Sequence, residues 1–588
     1  MNLWILKYDK ESFPDTFIER LSAYAQSISQ LKHHEVHRFS KDKFHFFSIS
    51  SKGIPKTYNE ISEEGVRGYS GLLIDKSPEQ RDLRNIANLD VRKPNDYYGQ
   101  FSLFDLKNNS FKCFTDNLGF HKVFYGEKKG VKYVSNSFEF MKQLGVFEPS
   151  IYQMLRDFST IRFGIFPGYN TLLQDVYTLT EYGVLEISRN GELKIDTYKD
   201  LSELLTPKGD FESKLKEAIL DYQTIAAYLR KYHKVAIGLS GGFDGRLILN
   251  MFHNTKGKSL ETFTYNRAGK LDLYVASVLS KKAKVPHRKF VIKPNTEKLN
   301  IKVTPFKDSS GDAFTQSFRS TLKDFYYADS EFKVLLGGNG ADTDWEFGEK
   351  RIADVDKTSL SKFIHDYSRK LGSHPILKEE VREVFVEEIE SYFWEKYKVF
   401  KHKENWQQLL ASAFFHLERF RGEQGFGYSQ NSNKNHDVFA PFALESFNQL
   451  VFLANKNQLQ RGLREGIHYR LSDALTEGRI PYAPIITSAI SNEHGNNIFH
   501  NLLNKIAPYL PKIIWKLNGG DTNTRIRKKY QADVNEIYKD YINSNQDSEI
   551  FDSIDKEKVL TSTSQIDYKG NYNAIGSMIK TLNDYKAK

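Results

Sequence analysis

Residues 235–252 read VAIGLSGGFDGRLILNMF, and the fold turns on this stretch. Val235 to Leu239 is a short apolar run of strand character, and from about Asp244 to Phe252 apolar residues recur at helical spacing. Between them lie Ser240, Gly241 and Gly242. A strand that runs through a glycine turn straight into a helix is the repeating unit of parallel, doubly wound sheets, which bind ligands beyond the carboxyl ends of their strands. A glycine turn there exposes backbone N–H groups at a helix N-terminus, where the dipole favours phosphate. Ser240 adds a hydroxyl. Asp244 would repel a phosphate directly, so its natural partner is a Mg²⁺ ion bridging to one. The alternative is an ordinary strand-to-helix turn with Asp244 as N-cap.

Outward from this stretch the alternation continues. An amphipathic helix over Phe211 to Lys231 precedes it. Strands follow at Leu260 to Tyr265, Arg288 to Ile292 and Val334 to Leu336, with helices over Leu271 to Lys284 and Phe314 to Tyr327. Directly after Leu336 the chain reads GGNGADTD, Gly337 to Asp344. Gly338 and Gly340 make a second glycine turn, and Asp342 a second carboxylate, at a strand's carboxyl end. Two such turns on one sheet would bring Asp244 and Asp342 around one metal; the alternative is a surface turn. Gly257-Lys258-Ser259 ends like a phosphate-binding loop, but it lacks the first glycine and precedes its strand. Beyond residue 355 the pattern is mostly helical, and the last ~45 residues are polar, a loose tail or a poorly packed cap. The first ~200 residues differ: FHFFSIS, GQFSLFDL, FKCFTD, VKYVSNS and YGVLEIS read as strands. DLKNNSFKCF reads as a hairpin with Asn108 and Asn109 at its turn.

Composition bounds the function. Hydrophobic residues make up 39% of 588 and aromatics 14%, enough for a large core and too much for a disordered chain. The net charge of +10 comes without a long Lys/Arg run, so it reads as a solvated surface with a basic anion site and no nucleic-acid partner. One cysteine, Cys113, excludes a disulfide framework and a Cys-rich metal centre. No stretch approaches the ~20 apolar residues of a membrane span. MNLWILKYDKESF lacks the apolar core of a signal peptide. The expectation is a soluble, cytoplasmic protein with no membrane partner.

In order along the chain, these motifs resemble the asparagine-synthetase family. SGGFDGR resembles that family's S-G-G-x-D-S loop, and GNGADT its G-x-G-A-D-E. LDLYVASVLSKKAKVPH lies between them, and DVFAPFAL, Asp437 to Leu444, resembles E-x-R-x-P-F-L-D. GQFSLFDL, TDNLGFHKVFY, VSNS and FPGYNTLLQDVYTLTEYGVLEI follow the order of the family's glutaminase-like domain. The resemblance implies an N-terminal Ntn-hydrolase-like αββα sandwich over residues 1–205. It implies an adenine-nucleotide α-hydrolase-like domain, a doubly wound parallel sheet with a helical C-terminal part, over 206–540; a polar tail or cap covers 541–588. It also implies ATP and Mg²⁺ as cofactors. By the same carry-over, Ser240, Gly241, Gly242, Asp244 and Gly245 cradle the pyrophosphate end of ATP, with Gly338 and Gly340 opposite. Leu239, Phe263 and Tyr265 flank the adenosine, and Asp244 and Asp342 hold the metal. Arg246 is a candidate cationic donor. Lys516 is a candidate for the family's pyrophosphate-contacting lysine, with Lys528 and Lys529 as competitors, and Arg419 and Arg421 lie where the family has a helix facing the site.

Departures from the family set the expected reaction. Its glutamine-dependent members use a cysteine after the initiator Met as nucleophile; here that residue is Asn2, and Cys113 sits in mid-strand. No glutamine hydrolysis is expected. The family's serine is Gly245 here, its arginine in the third motif is Phe439, and Asn339 stands where the family often has Glu or Tyr. Three readings follow. The first is an AMP-forming amide ligase acting on a small-molecule or peptide carboxylate. It resembles β-lactam synthetase and lasso-peptide cyclase, and the latter implies a precursor peptide and a leader-processing partner. The second is a degenerate binding or scaffold protein, and the third an ammonia-dependent asparagine synthetase.

Overall fold

The computed structural model describes residues 1–28, 31, 33–52, 58–160, 165, 167–240, 242–265, 270–290, 303, 334–338, 359–425, 436–454, 463–477, 536–561 and 571–587. The first twelve strands are β1 (Asn2–Tyr8), β2 (His34–Lys41), β3 (Phe44–Ser51), β4 (Asn59–Ile61), β5 (Gly65–Asp75) and β6 (Tyr97–Lys107), then β7 (Ser110–Thr115), β8 (Phe124–Lys128), β9 (Val131–Ser135), β10 (Val176–Thr178), β11 (Gly183–Ile187) and β12 (Leu193–Thr197). They form two antiparallel sheets, ordered β10-β8-β9-β1-β3-β2 and β12-β11-β7-β6-β5-β4. The expected hairpin is β6–β7. Asn108 and Asn109 take φ of 56° and 54°, the left-handed pair that a two-residue turn needs.

Alternation along the strands builds the layers. Trp4 and Leu6 of β1 and Phe44 and Phe46 of β3 face Phe104, Phe111, Cys113 and Leu185 across a buried core between the sheets. Leu3, Ile5, Phe47 and Ile49 point the other way, onto helices Asp15–Gln26, Phe138–Gln143 and Ile151–Thr160. The outer face of the second sheet carries Tyr69, Leu73, Phe101 and Leu103. They share a core with Leu215, Tyr222, Ile225 and Leu229 of helix Phe211–Tyr232. The αββα order is present, and its fourth layer comes from the helix that opens the second unit.

That second unit is a five-stranded, all-parallel sheet of β13 (Val235–Gly238), β14 (Leu260–Tyr265), β15 (His287–Phe290), β16 (Val334–Leu336) and β17 (Asp437–Phe439), ordered β15-β14-β13-β16-β17. The chain builds to one side of β13 and then returns to the other. The strand order therefore reverses between β13 and β16, where such sheets hold their ligands. β17 lies inside DVFAPFAL, which the sequence pattern does not mark as a strand. The expected helix over Phe314 to Tyr327 lies outside the described residues. Gly257 to Ser259 is a loop ahead of β14, with Gly257 at φ 139°.

One expectation needs correcting. The C-terminal segment is not a loose tail where it is described. Helix Asn571–Lys586 buries Ile575, Met578, Ile579 and Leu582 in the core that also holds β1, and Ile554 bridges to Leu377. Among the described residues no helix is long and apolar enough to cross a membrane.

Candidate active site

β13 ends at Gly238, and the next helix, Phe243–Met251, has Gly242 as N-cap. Asp244 is therefore not the cap; it lies in the first turn of the helix. Ser240 Oγ accepts the Gly242 N–H at 3.1 Å, which tightens the turn and leaves the hydroxyl proton free to point elsewhere. Leu239 N–H donates to the Phe263 carbonyl at 2.8 Å, and Thr264 Oγ1 donates to the Leu239 carbonyl. Leu239 and Phe263 are thus fixed side by side at the carboxyl ends of β13 and β14. Tyr265 is the last residue of β14.

The two glycine turns meet. A Cβ placed on Gly338, just beyond β16, would stand 2.7 Å from Asp244 Cβ and 3.5 Å from its Oδ2. Only a residue without a side chain lets the Asp244 carboxylate rest against the neighbouring turn. That carboxylate is 24% exposed at the switch point. One partly exposed carboxylate suits a cation whose shell is completed by phosphate oxygens and water, as Mg²⁺ prefers. Gly241, Gly340, Asp342 and Lys516, with Lys528 and Lys529, lie outside the described residues.

Arg246 is wholly buried, with its guanidinium 5.5 Å from the centre of the Phe243 ring. At Gly245 a Cβ would stand 3.1 Å from the Gly238 carbonyl oxygen and 3.2 Å from Leu239 Cδ1. Arg421 is committed elsewhere. Its Nε lies 3.3 Å from Glu181, and Lys396 Nζ lies 2.9 Å from Glu181 and 3.0 Å from Glu418. All four charges are buried, and they tie the N-terminal sandwich to helix Glu379–Tyr397 and the π-helix Phe414–Gly425.

Sequence reasoning missed His468. Its Nδ1 lies 3.7 Å from Asp244 Oδ1. Nothing in REGIHYRL marks this residue, because its role depends on helix Leu463–Thr476 packing against helix Phe243–Met251.

At the start of β1, Asn2 Nδ2 donates to Asn59 Oδ1 at 2.8 Å and to the Tyr69 carbonyl at 2.9 Å. Asn136 donates to the Asn2 carbonyl and to Ser70 Oγ. Cys113 is fully buried, and that burial pushes its thiol well above the ordinary range. A separate cavity of about 830 Å³ opens where the units meet, lined by Lys76, Tyr98, Lys199, Asp221 and Glu445 among others and by none of the turn residues.

Residues 219–388 match the asparagine synthase family model. The matched segment begins within helix Phe211–Tyr232 and takes in β13 to β16, both glycine turns included. This part of the chain is asparagine-synthase-like. No curated protein matches the chain. Among solved structures, it is similar to the glutamine phosphoribosylpyrophosphate amidotransferase from B. subtilis complexed with ADP and GMP: 10% identity, TM-score 0.22, over 59% of this chain and 77% of that one. It is similar also to the U34-tRNA thiolase NcsA from Methanococcus maripaludis, at 17% identity and TM-score 0.18 over 41% and 76%. A third likeness is to the allosteric regulatory enzyme of purine biosynthesis, at 9% identity and TM-score 0.22 over 57% and 74%. The fold itself rests on the strand order and register given above.

Proposed function

We propose that the protein is an ATP-dependent amide ligase that adenylates a carboxylate, releases pyrophosphate, and joins the acyl group to an amine with loss of AMP. One observation carries this reading: the meeting of the two glycine turns at the switch point, with Asp244 seated against Gly338, inside the segment that matches the asparagine synthase model. A carboxylate is a poor acyl donor until its oxygen becomes part of a good leaving group, and that demands stabilisation of the charge growing on pyrophosphate. The N–H groups of the turn after β13, with the Ser240 hydroxyl, would bind that end of the nucleotide. Leu239 and the β14 terminus would flank the adenosine. Mg²⁺ held at Asp244 would supply the remaining positive charge.

The amine is proposed to come from the substrate or from free ammonia, not from glutamine. Support for this is the state of the N-terminal sandwich: Asn2 is an amide bonded to Asn59 and Tyr69, and the sequence's one cysteine is buried in mid-strand. The finer form of the proposal is intramolecular ring closure on a peptide, with a precursor peptide and a leader-processing protein as partners. The test is ATP–pyrophosphate exchange with candidate acids and peptides. Exchange with at least one of them, together with no glutamate release from glutamine, is the expected result. Failure of exchange and of AMP release with every candidate would overturn the ligase reading, and steady glutamate release would overturn the nucleophile argument.

A further inference from the structure

Helix Leu463–Thr476 lies outside the parallel sheet, yet it places a side chain at the nucleotide turn. The His468 imidazole is fully buried. It stacks on Phe442 at 5.4 Å between ring centres and 26° between planes, with Phe447 at 5.9 Å. Phe442 belongs to the APFAL segment that follows β17, so the ring is anchored on the far strand of the same sheet. A ring held this way has little rotational freedom, and its Nδ1 edge lies 3.7 Å from Asp244 Oδ1. That separation is a contact slightly beyond hydrogen-bond length, and such contacts tighten when a site fills. The same carboxylate abuts Gly338.

We propose that His468 is a positioning residue for Asp244: the anchored imidazole sets the direction of the carboxylate, so that the C-terminal helical region takes part in building the nucleotide site. The proposal rests on the nucleotide-site reading above. Carboxylates that hold a cation are themselves held by outer partners, and loss of such a partner weakens binding by about 10- to 100-fold.

The test is equilibrium binding of ATP to the full-length protein by calorimetry, with and without Mg²⁺. H468F keeps the stack on Phe442 and removes both ring nitrogens; H468Q keeps a donor. The expected result is MgATP binding weakened about tenfold in H468F. Metal-free ATP binding should be unchanged, H468Q should recover part of the loss, and H468F should add nothing in a D244A background. Wild-type MgATP affinity in H468F would overturn the proposal. So would an equal loss for metal-free ATP, or the same loss with Asp244 already removed. If H468F does not fold, wild-type-like or fully lost binding in H468Q overturns it, and partial loss confined to MgATP supports it. A wild-type protein that binds no MgATP overturns the nucleotide-site reading as well, which separates the two failures.

Discussion

At Gly245 the space for a side chain is tight. Serine would place its Cβ 3.1 Å from the Gly238 carbonyl oxygen and 3.2 Å from Leu239 Cδ1, a tight contact with the end of β13. Gly245→Ser should therefore destabilise the protein by about 1–3 kcal/mol in urea unfolding, without gaining phosphate affinity. Asp244→Ala should abolish pyrophosphate exchange. Because that carboxylate is partly exposed, stability should change by no more than about 0.5 kcal/mol; exchange surviving in this variant would remove Asp244 from the site. His416 tests a different property. It is fully buried among Phe415, Phe420 and Phe447, and burial pulls its pKa from 6.5 down to about 3. Between those values the unfolded chain binds a proton that the folded one does not. The contribution is complete above about 6.5 and is lost as pH falls through the window. His416→Phe should flatten the pH dependence of unfolding there by up to about 1.4 kcal/mol per pH unit. The chemistry of Ser240, Gly242 and Asp244 was legible in sequence because strand, turn and helix are contiguous. His468 was not, since 224 positions separate it from Asp244 and only packing joins them.

Among elements, β13, β14 and β16 lie within a residue of where their apolar runs place them. β17 escaped notice because three residues followed closely by Pro441 look like loop, and only pairing with β16 makes them a strand. The buried charges of helix Glu379–Tyr397 and the π-helix were equally illegible, because Glu181 comes from a distant part of the chain. Burial alone would raise the Glu181 carboxyl, but Arg421 and Lys396 outweigh it and hold the pKa at about 2. This carboxylate thus stabilises the fold above the ordinary glutamate range and loses its effect as pH falls toward 2. Lys396→Met removes one cation from two anions and should cost about 3–5 kcal/mol, measured by chemical denaturation.

For the molecule as a whole, division into a strand-rich part and a strand–helix part was legible from the change of period near residue 208. The shared wall between them was not. Helix Phe211–Tyr232 belongs to the second unit by sequence and covers the first unit's outer sheet. Residues 206–588 expressed alone should therefore aggregate, and co-expression with 1–205 should restore solubility; a soluble, folded 206–588 would refute the shared core. Polar composition left the C-terminal segment open between a loose tail and a poorly packed cap, and its described helix packs on the core. Ile575, Met578, Ile579 and Leu582 recur at i, i+3, i+4 and i+7, which is one helical stripe.

The same wall makes a forecast about descent. A chain whose first sheet has no thiol to work with still cannot discard its N-terminal sandwich, because the outer face of the second sheet is the bed on which helix Phe211–Tyr232 lies. Among close relatives, substitutions at Asn2 and Asn59 should come only together with changes in the partners of their buried hydrogen bonds. Substitutions should be scarce at Tyr69, Leu73, Phe101 and Tyr222, where two halves of one protein would otherwise come apart.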